Sequence, residues 1–164
     1  MKDLIDQFKG KEHGPLVQFI KYGIAGGAAT AVDVIIFYIM AGFVFRALTP
    51  DDWAVRYLNL PAVELGNAVR ANLVVVDSFI AFLFSNLVAY VTNVKWVFES
   101  GRHKRHVELA MFYAVSGTSI AVGVGIAYVL IRWFGLTSTV AFATKVIAAV
   151  MINYVMRKFV IFKG

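Results

Sequence analysis

The stretch "YVTNVKWVFES", residues 90–100, decides how the chain is read, because a similar run returns at 154–164 as "YVMRKFVIFKG". A shift of 64 positions lays Tyr90 on Tyr154, Val91 on Val155, Val97 on Ile161 and Phe98 on Phe162. Each copy mixes aromatic and β-branched residues with basic ones, Lys95 in the first and Arg157 with Lys158 in the second. A second correspondence lies upstream. At an offset of 90, "QFIKYGIAGG" (18–27) falls on "ELAMFYAVSG" (108–117), with Tyr22 over Phe112 and Gly27 over Gly117. Repeats of this kind frame every later reading. The difference between the offsets, 90 − 64 = 26, leaves 26 additional residues in the first half.

Composition says what is duplicated. The chain has 164 residues, 60% of them hydrophobic and 16% charged, with mean hydropathy +0.73. Soluble domains run at about 45–50% apolar and ~25% charged, so this chain has too much apolar surface for water. The absence of cysteine excludes disulfides and thiolate metal sites. The net charge of +6 sits in short clusters between apolar stretches rather than in one patch, which argues against a nucleic-acid partner.

The apolar stretches are four, running from about Leu16 to Phe45, Leu73 to Phe98, Leu109 to Trp133 and Val140 to Phe162. Crossing a ~30 Å hydrocarbon core takes ~20 predominantly apolar residues at ~1.5 Å each. The expected fold is therefore all-α and polytopic, with four transmembrane helices. Gly14 and Pro15 precede the first stretch and no small-residue cleavage pattern follows it, so it is not read as a cleaved leader.

Lysine and arginine orient these helices. Lys2, Lys9, Lys11 and Lys21, then Arg102, Lys104 and Arg105, then Arg157, Lys158 and Lys163 fall on one side; Arg46, Arg56, Arg70 and Arg132 fall on the other. The positive-inside rule puts the richer side, with both termini, in the cytoplasm of an inner membrane. Residues 1–15 are then a cytoplasmic segment and 16–164 the membrane domain, with an outer loop at 46–71 and a cytoplasmic loop at 99–107. Each half becomes a hairpin that begins and ends in the cytoplasm, a parallel repeat. In the outer loop, "TPDDWAVRYLNL" (49–60) predicts a short interfacial helix. There Thr49 can cap, Pro50 fits the first turn, Asp51 and Asp52 favour the positive end of the dipole, and Trp53 and Tyr57 anchor.

Three ionisable residues lie deep in these stretches: Asp33, Asp77 and Lys145. Each costs ~2.5–3.5 kcal/mol in hydrocarbon if unpaired. Asp33 is 12 residues after Lys21, and Lys145 is 12 before Arg157, which places both ~18 Å inward from the basic ends. Asp77, 18 residues before Lys95, lies somewhat further out. The three can meet as an intramembrane polar site; the plainer reading is an Asp33–Lys145 pair that fixes helix packing, with Asp77 exposed at the outer edge. Asp77 is turned away from Asn86 and Asn93 on an ideal helix, so this helix meets polar groups on two sides. On the first helix, Gly23, Gly26, Gly27, Thr30, Asp33 and Phe37 share one face, and Gly23–Gly27 has the spacing of close helix contacts, within the chain or in a homo-oligomer. Ser116, Ser119 and Gly123 make a comparable face on the third.

"FIKYGIAGGAATAVDVIIFYI" (19–39), the segments "NVKWVF" (93–98) and "NYVMRKFVIF" (153–162), and "ATK" (143–145), in this order, resemble the GtrA-like family over residues 16–164. The resemblance implies a small four-helix membrane protein that moves a polyprenyl-phosphate-linked sugar across the membrane for cell-surface polysaccharide synthesis or glycosylation; the same domain is fused to some dolichyl-phosphate mannose synthases. Lys95 stands where that family commonly has an arginine, offering a point charge rather than a bidentate fork. On this reading Lys21, Asn93, Lys95, Asn153, Arg157 and Lys158 bind the lipid phosphate at the inner head-group level, although anchoring alone also calls for basic residues there. No catalytic constellation stands out: His103 and His106 are three apart in a charged loop, and neither an enzyme, a cofactor nor a metal is expected. The alternatives are a non-transporting adaptor for a membrane glycosyltransferase and a small proton-coupled exporter that uses a membrane acid such as Asp33.

Overall fold

The computed structural model describes residues 15–97 and 104–156. These are helical, with no strand among them: α1 (Pro15–Ile39), α2 (Trp53–Leu58), α3 (Asn67–Thr92), α4 (Arg105–Phe134) and α5 (Ser138–Met156). α1 continues into a π turn at Met40–Val44 and α3 into another at Asn93–Val97. Three helical spans are long and apolar enough to cross a bilayer: Ile20–Val44, Asn67–Val97 and Arg105–Phe134. The apolar part of the fourth, Ser138–Ala149, is shorter, and the stretch expected to complete it through Phe162 lies partly outside the described residues.

α1 packs on α3, α3 on α4, and α4 on α5. One end of the bundle, the loop end, carries residues 45–66 and the tight α4–α5 connection. The other, the basic end, carries Lys21, Lys95, Lys104 and Arg105. The apolar core gathers toward the loop end around Phe37, Leu48, Val74, Ile131 and Phe142.

α3 shows why the bundle needs an apolar surrounding. Its large apolar residues Val69, Val76, Phe79, Leu83, Phe84 and Leu87 point outward, whereas Arg70, Asp77, Ser78, Ser85, Asn86 and Asn93 are buried. This inverts the arrangement of a soluble helix. The buried face is broad because α3 is flanked by both α1 and α4.

α3 begins at Asn67, so the expected outer loop 46–71 is shorter at its far end: Asn67 and Arg70 continue the helix because Arg70 finds partners inside the fold. The short helix exists but starts at Trp53, not Pro50. Thr49–Asp52 is a separate turn, closed by the Asp52 N–H donating to the Thr49 carbonyl at 2.9 Å, with Pro50 at the position whose fixed φ suits it. α2 ends at Asn59 in the left-handed region, which asparagine tolerates. Trp53 and Tyr57 are exposed and meet edge to face. α4 stops at Gly135 (φ 65°), whose N–H reaches the Ile131 carbonyl while the Leu136 N–H reaches that of Leu130.

Candidate functional site

Asp33 and Lys145 are brought together. Lys145 Nζ donates to Asp33 Oδ2 at 2.8 Å, the lysine completely buried and the aspartate 7% exposed. Ser85 on α3 donates its hydroxyl to Asp33 Oδ1 at 3.1 Å. The ammonium also lies 4.2 Å from the centre of the Phe142 ring, which stacks on Phe37 at 3.9 Å. Three helices thus converge on one carboxylate. Serine and the aromatic face supply part of what water would give each ion.

Contacts between α1 and α5 continue toward the loop end in helical steps. Four residues beyond Asp33 and three before Lys145 comes the Phe37–Phe142 stack, followed by the Tyr38 hydroxyl donating to Thr139 Oγ1 at 3.2 Å. The aromatic stack therefore separates the ion pair from the loop end.

Asp77 does not join the pair. It is completely buried, not exposed at an edge, and neither carboxylate oxygen has a hydrogen-bond partner among the described residues. Sequence position gave its depth but not its direction: on the helix it lies to one side of Ser85, the residue that faces α1.

At the basic end the expected phosphate set divides. Lys21 is completely buried with Nζ 5.5 Å from the centre of the Trp96 ring. Asn93 is also buried; its Nδ2 donates to the Ala89 carbonyl at 2.7 Å and its Oδ1 has no partner among the described residues. Lys95 is exposed, because the helical twist carries it off the face shared by Asn93 and Val97. Asn153 lies on α5, its side chain outside the described set, and Arg157 and Lys158 lie outside the described residues.

The small-residue faces part company too. Among the described residues nothing lies within 4 Å of a β-carbon built at Gly23, Gly26 or Gly27, so these glycines make no close helix contact there. Gly123, by contrast, abuts Lys145.

A second polar cluster, at the loop end, was not visible in the sequence. Asp52, expected to favour its own helix, points elsewhere: Oδ1 accepts the Thr139 N–H at 2.8 Å, and Oδ2 accepts from Thr49 N and Oγ1 at 3.1 and 3.4 Å. It therefore caps α5 from a distant loop. Arg70 donates to Thr49 Oγ1, Asn67 Oδ1 and the Gly135 and Leu136 carbonyls, the last at 2.9 Å. Ser138 Oγ donates to the Ala47 carbonyl at 2.6 Å. An arginine at the border of an apolar stretch was the available signal, but its partners come from three segments.

An inward-polar, outward-apolar bundle of this kind invites comparison with known membrane families. The family described as "GtrA/DPMS, transmembrane domain" matches residues 21–162. The chain belongs to the GtrA/DPMS family. A relative of this GtrA/DPMS protein is the "Uncharacterized membrane protein YwcD" of Bacillus subtilis (strain 168), 31% identical over 86 residues, which cover 51% of this chain and 68% of the relative. No solved structure matches it. Membership makes this a multi-pass membrane protein in the setting of glycosylated lipids.

Proposed function

We propose that this GtrA/DPMS protein binds a polyprenyl-phosphate-linked sugar and carries its head group across the bilayer. The observation that supports this best is the buried polar face of α3. From Arg70 to Asn93 it places ionic or hydrogen-bonding groups over 23 residues, or ~35 Å, about the thickness of a hydrocarbon core. Several of these atoms have no hydrogen-bond partner among the described residues: Arg70 Nε, both Asp77 oxygens, Ser78 Oγ, Asn86 Nδ2 and Asn93 Oδ1. Polar atoms left unbonded in an apolar interior are expensive. A hydroxyl-rich, anionic head group moving through the bundle past both buried sides of α3 would satisfy them in turn while its tail stays in lipid.

In this reading the basic end is cytoplasmic, both termini lie there, α5 with the residues after it completes a fourth span, and the two hairpins are the duplicated halves. Lys21 meets the phosphate first, joined by Arg157 and Lys158. Lys145 offers the second cation, released from Asp33 as the phosphate arrives. The packed aromatic stack and the loop-end cluster form the barrier that must open last. The protein acts as a carrier without covalent chemistry.

The test is the lipid that co-purifies from native membrane, identified by mass spectrometry. A polyprenyl-phosphate sugar retained in stoichiometric amount is the expected result. Retention of bulk phospholipid alone would count against the proposal.

A further inference from the structure

Two consecutive side chains inside the bundle have no hydrogen-bond partner among the described residues. Asp77 and Ser78 are both completely buried on α3, and Asp77 Oδ1, Asp77 Oδ2 and Ser78 Oγ lack hydrogen-bond partners among the described residues. They are separate from the ion pair. Lys145 and Ser85 are both committed to Asp33, and Ser85 lies eight residues away, ~12 Å along the helix toward the basic end. Arg70, one step of seven residues toward the loop end, directs both Nη atoms at Thr49, Asn67, Gly135 and Leu136. Among the described residues no cation stands within ion-pairing distance of Asp77.

Packing gives no reason for this pair. Leucine and alanine would fill the same interior without leaving polar atoms unbonded. The chemistry left open is specific: two acceptor oxygens on one carboxylate and, on the next residue, a hydroxyl that both donates and accepts. An isoprenoid tail has no donor to offer, and a phosphate offers acceptors and negative charge, which a carboxylate repels. A sugar ring offers what is missing, since adjacent hydroxyls can donate to the two carboxylate oxygens while a third exchanges a hydrogen bond with serine.

We infer that Asp77 and Ser78 form a sugar-recognition subsite that takes the vicinal hydroxyls of a neutral pyranose. The inference rests on the proposed lipid-linked-sugar function and adds the place where the sugar, rather than the phosphate, is read. It lies on the loop-end side of Asp33 and Lys145, away from the cations at the basic end.

The full-length protein, purified in detergent, is titrated with polyprenyl phosphate and with the same lipid carrying one glucose, galactose, mannose or N-acetylglucosamine. The wild type should bind at least one glycosylated lipid about tenfold or more tightly than the bare lipid, as expected of hydrogen bonds to a charged group. Asp77→Leu with Ser78→Ala should remove that margin, leave bare-lipid affinity unchanged and not lower the melting temperature. Ser78→Ala alone removes only a partnerless hydroxyl, so it carries the test if the double variant does not fold, and should cut the margin. A margin that survives in the variants would overturn the subsite, as would equal loss of bare and glycosylated lipid. Equal wild-type affinity for bare and glycosylated lipids would likewise overturn it. Wild-type protein that binds neither lipid would instead bring down the proposed function, and the subsite with it.

Discussion

Gly123 and Lys145 meet where no side chain fits between them. A β-carbon at Gly123 would stand 2.8 Å from the Lys145 carbonyl oxygen and 3.2 Å from its Cγ. The contact lets α4 and α5 approach closely, and it holds the lysine stem where Nζ reaches Asp33. The obstructing atom is backbone, so the helices rather than a flexible side-chain tip would have to move.

Gly123→Ala is therefore expected to destabilise the protein by about 1–3 kcal/mol, the usual cost of overpacking. Gly27→Ala, with nothing within 4 Å, should be neutral or stabilising by up to ~1 kcal/mol as helix propensity improves. Melting temperatures in detergent decide, and equal losses at the two positions would contradict the close approach at Gly123.

Asp33→Asn and Lys145→Met should each cost about 3–5 kcal/mol, because either leaves a buried charge without its partner. The double variant should lose less than the sum of the two. Strict additivity of melting-temperature changes would mean that the charges do not interact. Ser85→Ala, which removes one hydrogen bond to the carboxylate, should cost about 1.5–3 kcal/mol.

This pair was legible because depth in a membrane helix follows from counting residues, and two opposite charges at one depth have reason to meet. Direction was less accessible. Asp77 could be placed along α3 but not around it, since the angle of burial depends on which helices flank α3. The offsets at which the similar sequence runs align lay Asp33 on Gly123 and Lys145 on Ala81. The pair thus has no counterpart at those offsets, and the sequence similarity between the two runs could not predict it. The loop-end cluster was hidden for another reason: Asp52 reads as a favourable charge for its own short helix, yet its carboxylate serves Thr139, 87 residues away.

For that cluster, Arg70→Gln should lower stability by about 2–4 kcal/mol, since a buried charged donor with four acceptors is lost. Asp52→Ala should cost about 1–2 kcal/mol through the lost cap on α5. If neither change moves the melting temperature, the loop end is not held closed by these residues.

The chain contains no cysteine, so single cysteines report topology without background. Cysteines at Asn59 and His106, both exposed and at opposite ends of the bundle, should react with impermeant reagent from opposite sides of the membrane, His106 from the cytoplasm. Labelling from one side only would contradict the proposed arrangement.

Transbilayer movement itself is read most directly in liposomes containing the purified protein and a polyprenyl-phosphate sugar labelled in the inner leaflet. Wild-type protein should make the label accessible to an external sugar-oxidising reagent much faster than protein-free vesicles. Gly123→Ala, Asp33→Asn and Lys145→Met should slow it in proportion to their disruption of the buried pair. Label that stays inaccessible in wild-type vesicles, with the protein folded and binding the lipid, would contradict carriage across the bilayer and leave a protein that only holds its lipid.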